Sequence, residues 1–222
     1  MLHSRYELVT STRVDHIHGL DDHHNRGWLS PDGKIYYLRI PKNASSFMSG
    51  EFDSMGWSDI SKDNRLRYES GICILRDPWK RWLSGITQFF HDQEISLERM
   101  SSCWDLLRQI LYNQPYQDAH TAPQVAYLHG HDLERFQFVM MSEHSISVGE
   151  RIYTLLSSRG YDNEMYKHDR QNVTSDDTTR SKIMGCLLDK IKEDDALITG
   201  VRDYYSSDYN LIDWVAKNKG WS

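Results

Sequence analysis

The stretch "IPKNASSF", residues 40–47, sits where an apolar, β-rich run gives way to a new apolar pattern. The run before it, "KIYYLR", reads as a strand over Ile35–Ile40, with apolar residues on both faces as in a buried parallel strand. After it, Met48, Phe52 and Met55 recur at helical spacing, so Ser45 to about Met55 reads as a helix. A strand, a short polar loop and a helix start form an anion cradle. The first N–H groups of the helix lack intrahelical acceptors, and the helix dipole favours negative charge there. Lys42 adds a point charge, Ser45 and Ser46 add hydroxyl donors, and Ala44 is small enough to let a phosphate approach the backbone. The dipole supplies about 0.3–2 kcal/mol, and each charge-assisted hydrogen bond about 1.5–3 kcal/mol, which together can hold a di-anion. The Walker A pattern GxxxxGK[ST] is absent, and the lysine opens the loop instead of closing it, which argues against an ordinary ATPase or GTPase.

A second stretch has the same layout. "GICILR", 71–76, reads as a buried strand, and "DPWKRWLSG" follows it into a helix with Pro78 in the first turn. Trp79, Trp82, Leu83, Ile86, Phe89 and Phe90 make a wide apolar stripe on that helix. Arg76 ends the strand and can fork two hydrogen bonds to a phosphate. Ser84 lies two turns into the helix, with Gly85 beside it removing bulk.

Outward from these corners, the pattern predicts a helix over Ser96–Tyr112, a third strand at "FQFVMM" (136–141), and a helix to about Arg159 opened by a Ser147–Glu150 capping box. Further helices are expected around Ile183–Ile191 and through "LIDWVAK". Residues 1–34 read as an irregular N-terminal segment with a short strand near Tyr6–Val9, and residues 35–222 as one α/β domain. The expected fold is a single P-loop-like α/β domain with a short central parallel sheet flanked by helices.

The two corners, "PKNASSF" and "RDPWKRWLSG", resemble the 5′-phosphosulfate loop and the 3′-phosphate motif of sulfotransferases that use 3′-phosphoadenosine 5′-phosphosulfate (PAPS). The wording of the second is most similar to the carbohydrate (Golgi-type) branch. "HTAPQ" (120–124), "FQFVMM", "HDRQN" and "YYSSDYNLI" follow in the family's order, so the resemblance spans roughly residues 35–213. Many members carry glycine where this chain has Ala44. The resemblance implies a transferase that moves a sulfuryl group from PAPS to a hydroxyl of a carbohydrate or similar polar acceptor, releasing PAP without a metal. It implies that Lys42, Asn43, Ala44, Ser45, Ser46 and Phe47 hold the 5′ side, and that Arg76 and Ser84 hold the 3′-phosphate. Arg170 and Asn172 in "HDRQN" would close over the nucleotide, and Trp57 is a candidate to stack on adenine. Lys42 and His120 would be the catalytic pair. His120 is the first candidate for the general base, with Asp118 as its orienter. Glu51, on the helix leaving the cradle, and His91 are the other candidates, and a solvated helix face is the plain reading of Glu51. A non-catalytic PAP- or PAPS-binding module and a kinase relative using ATP are the alternative functions.

Composition bounds the rest. A net charge of −6 over 222 residues argues against a general nucleic-acid coat, so any anion site is a local concentration of Lys and Arg. Cys73, Cys103 and Cys186 form no CxxC pair, which fits a reducing compartment. The N-terminal "MLHSRYELVTSTRVDH" contains no apolar segment, and no run approaches the ~20 apolar residues of a membrane span. A soluble, cytoplasmic protein is the expectation. His16, His18, His23 and His24 with Asp15, Asp21 and Asp22 suggest a metal, but no fourth-ligand spacing accompanies them, so a polar loop or acceptor entrance is preferred.

Overall fold

Residues 35–38, 70–75 and 136–140 are buried over most of their length, and this makes them the centre of the molecule. The computed structural model describes residues 26–60, 67–141, 145–161 and 178–221. Strands β1 (Gly27–Leu29), β2 (Ile35–Leu38), β3 (Ser58–Ile60), β4 (Ser70–Leu75) and β5 (Phe136–Met140) form one sheet in the order β3-β1-β2-β4-β5. β2, β4 and β5 run parallel, in a register that sets Leu38 beside Cys73 and Leu75 beside Met140. β1 runs antiparallel to both β2 and β3. The expected parallel sheet is therefore the core of a mixed one, extended on one side by two three-residue strands. β1 also lies inside the segment read as irregular.

Alternation sorts the side chains into two layers. Ile35, Tyr37, Ile72, Ile74 and Val139 face α1 (Ser45–Ser54), with Met48, Phe52 and Trp57, and also Val148 and Ile152. The last two lie on a later helix, Ser145–Ser157. Tyr36, Leu38, Cys73, Leu75, Phe136 and Phe138 face the opposite way, toward Val125, Leu211 and Val215. Because both faces are covered, the strands lack the polar alternation of a half-exposed sheet.

α2 (Pro78–Asp92) leaves β4 directly. Pro78 occupies its first turn, and the Asp77 carboxylate accepts from the Lys80 N–H at 2.8 Å. Its apolar stripe (Trp82, Leu83, Ile86, Phe90) packs into a separate helical core with Met100, Leu111, Ile183, Leu187 and Val201. The helix expected over 96–112 is two: α3 (Leu97–Ser102), capped by Ser96, and α4 (Trp104–Asn113). Cys103, with φ −111° and ψ 19°, breaks them. A four-residue α5 (Gln124–Tyr127) and a 3₁₀ turn (Leu133–Arg135) lead into β5. α6 is Ser145–Ser157, so Ser147 lies within the helix and does not cap it. α7 (Thr178–Ile191), α8 (Asp195–Tyr204) and α9 (Ser206–Asn218) complete the chain. No helix among the described residues is long and apolar enough to cross a membrane.

Candidate functional site

The loop between β2 and α1 is bent by two residues in the left-handed region, Lys42 at φ 69° and Ala44 at φ 56°. Neither is glycine, so each carries a steric cost of about 1–2 kcal/mol. Ala44 is also the residue before α1, and no side chain caps that helix. No acidic residue lies in its first turn. The helix start therefore presents N–H groups and dipole without an internal anion.

Asn43, between the two, points inward and is fully buried. Its Nδ2 donates to the Ile74 carbonyl and to Gln124 Oε1, both at 2.7 Å. This fastens the loop to the end of β4, so Asn43 acts here through its side chain as an anchor.

The two corners meet. Arg76 Nη1 donates to the Lys42 carbonyl at 2.9 Å. Lys42 Nζ donates to Gln88 Oε1 at 3.1 Å. Gln88 lies one turn beyond Ser84 on α2, so the half-buried Ser84 shares the helix face that the lysine reaches. Burial, together with the positive charges of Arg180 and Arg76, brings the Lys42 ammonium down to about 8, against the opposing pull of Asp92 and Asp118. Burial and Arg81 likewise bring Arg76 down to about 10, with Asp77 opposing. Crowded cations of this kind lower their own charge and are relieved by an anion. Arg180, from α7, was not picked out by any motif.

The segment 115–122 forms a third side, tied to the cradle loop through Arg81. His120 Nδ1 lies 2.9 Å from Asp118 Oδ2, and the His120 N–H donates to Asp118 Oδ1 at 2.9 Å. The carboxylate thus fixes both the backbone and the ring. With the Nδ1 proton donated to Asp118, Nε2 carries the lone pair, and the side chain is 37% exposed, enough for a ligand to reach it. Burial pushes the Asp118 carboxyl up, but the hydrogen bonds it accepts from the His120 side chain and backbone help to hold the carboxyl low. Because Asp118 also acts on Lys42, the histidine pair and the lysine belong to one electrostatic neighbourhood.

What holds this side is Arg81, a residue the sequence reading passed over. It is 1% exposed and donates to the carbonyls of Pro41 (3.1 Å), Ala122 and Ala119 (3.5 Å), tying the cradle loop to the histidine segment. Its guanidinium also sits 5.9 Å over the Tyr127 ring. Tyr127 and Tyr205 hydroxyls donate to the Ala119 and Thr121 carbonyls, and Trp82 Nε1 to that of Pro115 at 2.9 Å. Gly85 is required here: a Cβ at that position would lie 2.4 Å from the His120 carbonyl oxygen.

Gln124 was likewise missed. Fully buried, it accepts from the Arg76 N–H at 3.0 Å and donates to the Arg76 carbonyl at 2.9 Å. Asp208 from α9 accepts from the N–H groups of Gln124 (2.8 Å) and Val125 (2.9 Å), holding the start of α5. Burial raises the Asp208 carboxyl despite those two bonds.

Of the other expected residues, Glu51 and Trp57 are buried, while His91 borders the lysine's neighbourhood through Asp92 and Gln88. Glu51 is fully buried, so it is not a solvated helix face. Trp57 is 5% exposed and packs 4.4 Å from the Phe52 ring, so it is a core residue and not an adenine platform. His91 pairs with Asp92 at 3.2 Å, beside Gln88, which donates to the same carboxylate at 2.6 Å. Arg170, Asn172, the strand read at Tyr6–Val9 and the histidine cluster at 16–24 lie outside the described residues. Among the described residues no group of three or more His, Cys, Asp or Glu is placed to hold a metal ion. Comparison with family models, with curated proteins and with solved structures finds no match to this chain.

Proposed function

We propose that the chain is a PAPS-dependent sulfotransferase acting on a hydroxyl of a carbohydrate or similar polar acceptor, built on a P-loop-like β2–loop–α1 unit. The observation that supports this reading is the contact of Arg76 with the Lys42 carbonyl, which brings the two anion-seeking corners together. A ligand with phosphates at both ends of a nucleoside matches that arrangement. A single triphosphate chain does not call on both corners.

In this reading Lys42 and the N–H groups of residues 43–47, with the Ser45 and Ser46 hydroxyls, hold the 5′ end. Arg76 and Ser84 hold the 3′-phosphate, and Arg170 and Asn172 add further contacts to the nucleotide. His120 Nε2 takes the proton from the acceptor hydroxyl as its oxygen bonds to sulfur. The bond from sulfur to the 5′-phosphate oxygen breaks, and PAP leaves with its charge stabilised by Lys42. Such transfer needs positioning and charge stabilisation more than covalent help, and lysine with backbone dipoles supplies the charge without a metal. An internal cytoplasmic enzyme of this kind would take a small-molecule or glycan acceptor.

The test is calorimetric titration with adenosine 3′,5′-bisphosphate and with ATP, followed by incubation with radiolabelled PAPS and a panel of glycans, lipids and small alcohols. Preference for the bisphosphate and a labelled product are expected. Preference for ATP would end the reading, and bisphosphate binding without product on any acceptor would reduce the chain to a binding module.

A further inference from the structure

We propose that Gln124 is a positioning residue that locks the two strand-to-helix corners in one register, so that a ligand anionic at both ends is gripped as a unit. This rests on the proposed nucleotide reading of the cleft. The side-chain amide does at the end of β4 what a neighbouring strand does along it. It takes the N–H of Arg76 at 3.0 Å and gives to the carbonyl of the same residue at 2.9 Å. The same Oε1 accepts from Asn43 Nδ2 at 2.7 Å, and Asn43 in turn holds the Ile74 carbonyl at 2.7 Å. One amide therefore fixes the backbone of Arg76 against the residue between Lys42 and Ala44. Asp208 fixes the amide's own backbone at 2.8 Å. Both polar atoms of the side chain are used, and Gln124 itself is fully buried. Glutamate keeps the acceptor and loses the donor, methionine keeps the volume and loses both, and asparagine is one methylene short.

The consequence is a coupling between the corners. Without the lock each corner still binds its own phosphate, but the distance between them is no longer set in advance. Coupling of this type is worth about 5–150-fold in affinity. It is read by titrating wild type, Gln124→Glu and Gln124→Met with adenosine 3′,5′-bisphosphate, adenosine 5′-monophosphate and adenosine 3′-monophosphate. The expected result is a loss of about tenfold or more for the bisphosphate in both variants, with each monophosphate weakened by less than about threefold. Equal weakening of all three ligands, or no loss for the bisphosphate, would overturn the proposal. Wild type that shows no preference for the bisphosphate over either monophosphate would instead overturn the nucleotide reading itself. A second measurement needs no variant: the Arg76 amide of wild type should exchange slowly and slow further with the bisphosphate but not with either monophosphate. Fast exchange of that amide in the free protein contradicts the lock.

Discussion

The Arg76 guanidinium donates to the backbone carbonyl of Lys42 across 2.9 Å, so the side chain that closes one corner is seated on the backbone of the other. Arg76→Ala should therefore weaken adenosine 3′,5′-bisphosphate binding by about 10–100-fold, the equivalent of one charge-assisted hydrogen bond. Lys42→Ala should abolish transfer. Calorimetry and product formation read these separately, and wild-type nucleotide affinity in the arginine variant would refute its role.

Lys42 should make the proposed binding pH-dependent. Its ammonium is brought down to about 8 by burial and by Arg180 and Arg76. An anionic ligand selects the charged form, so above that pH the free protein must take up a proton to bind. Affinity for the bisphosphate should fall by up to about tenfold per pH unit as pH rises above about 8. Lys42→Met should bind weakly and without that slope. The same depression means that the unfolded chain holds the Lys42 proton to higher pH than the folded one. This residue's contribution to stability therefore rises between about pH 8 and its ordinary value of 10.5. Flat affinity from about pH 7 to 9 in wild type would remove Lys42 from the site.

His120→Ala should lower turnover by about 10²–10⁴-fold while leaving nucleotide affinity unchanged, as expected for loss of a general base. Asp118→Asn should act in the same direction, because it unsettles the ring whose Nδ1 lies 2.9 Å away. Kinetics paired with calorimetry decide this. A fall in nucleotide affinity equal to the fall in turnover would move His120 from proton transfer to binding.

Gly85→Ala sets a methyl 2.4 Å from the His120 carbonyl oxygen, where only backbone movement makes room. Destabilisation of about 1–3 kcal/mol is expected, with loss of turnover larger than the stability loss explains. Urea unfolding and activity on one preparation test it, and an unchanged midpoint with full activity contradicts the close packing of α2 against the His120 segment.

Ala44→Gly should stabilise the chain by about 0.5–1 kcal/mol, since glycine adopts the φ of 56° without steric cost, which more than offsets its greater freedom when unfolded. Denaturant midpoints measure this. A destabilised glycine variant would mean that the Ala44 methyl contributes packing that outweighs the strain.

The sequence shows some of these features far better than others. β2, β4 and β5 were readable because both faces are buried and the runs are apolar throughout. β1 and β3, three residues each, have no period to detect, and their pairing is decided only by the sheet. Lys42, Arg76 and His120 stand in short motifs whose residue types announce charge or proton transfer. Arg81 and Gln124 do not: an arginine inside "WKRWL" looks like the exposed base of an amphipathic helix. Its burial depends on carbonyls some 40 residues away in either direction. Glu51 failed in the same way, because helical spacing alone does not tell which turn of α1 lies under a neighbouring helix.

The hydrogen bonds that join Asn43 to Gln124 and Gln124 to Asp208 span 81 and 84 positions along the chain. Closing loops of that size is slow and comes after local structure has formed. During synthesis, a chain that has emerged only as far as α2 owns both lysine and arginine yet has no fixed spacing between them. In the proposed reading, the preset spacing between the two corners is therefore complete only once α9 is in place.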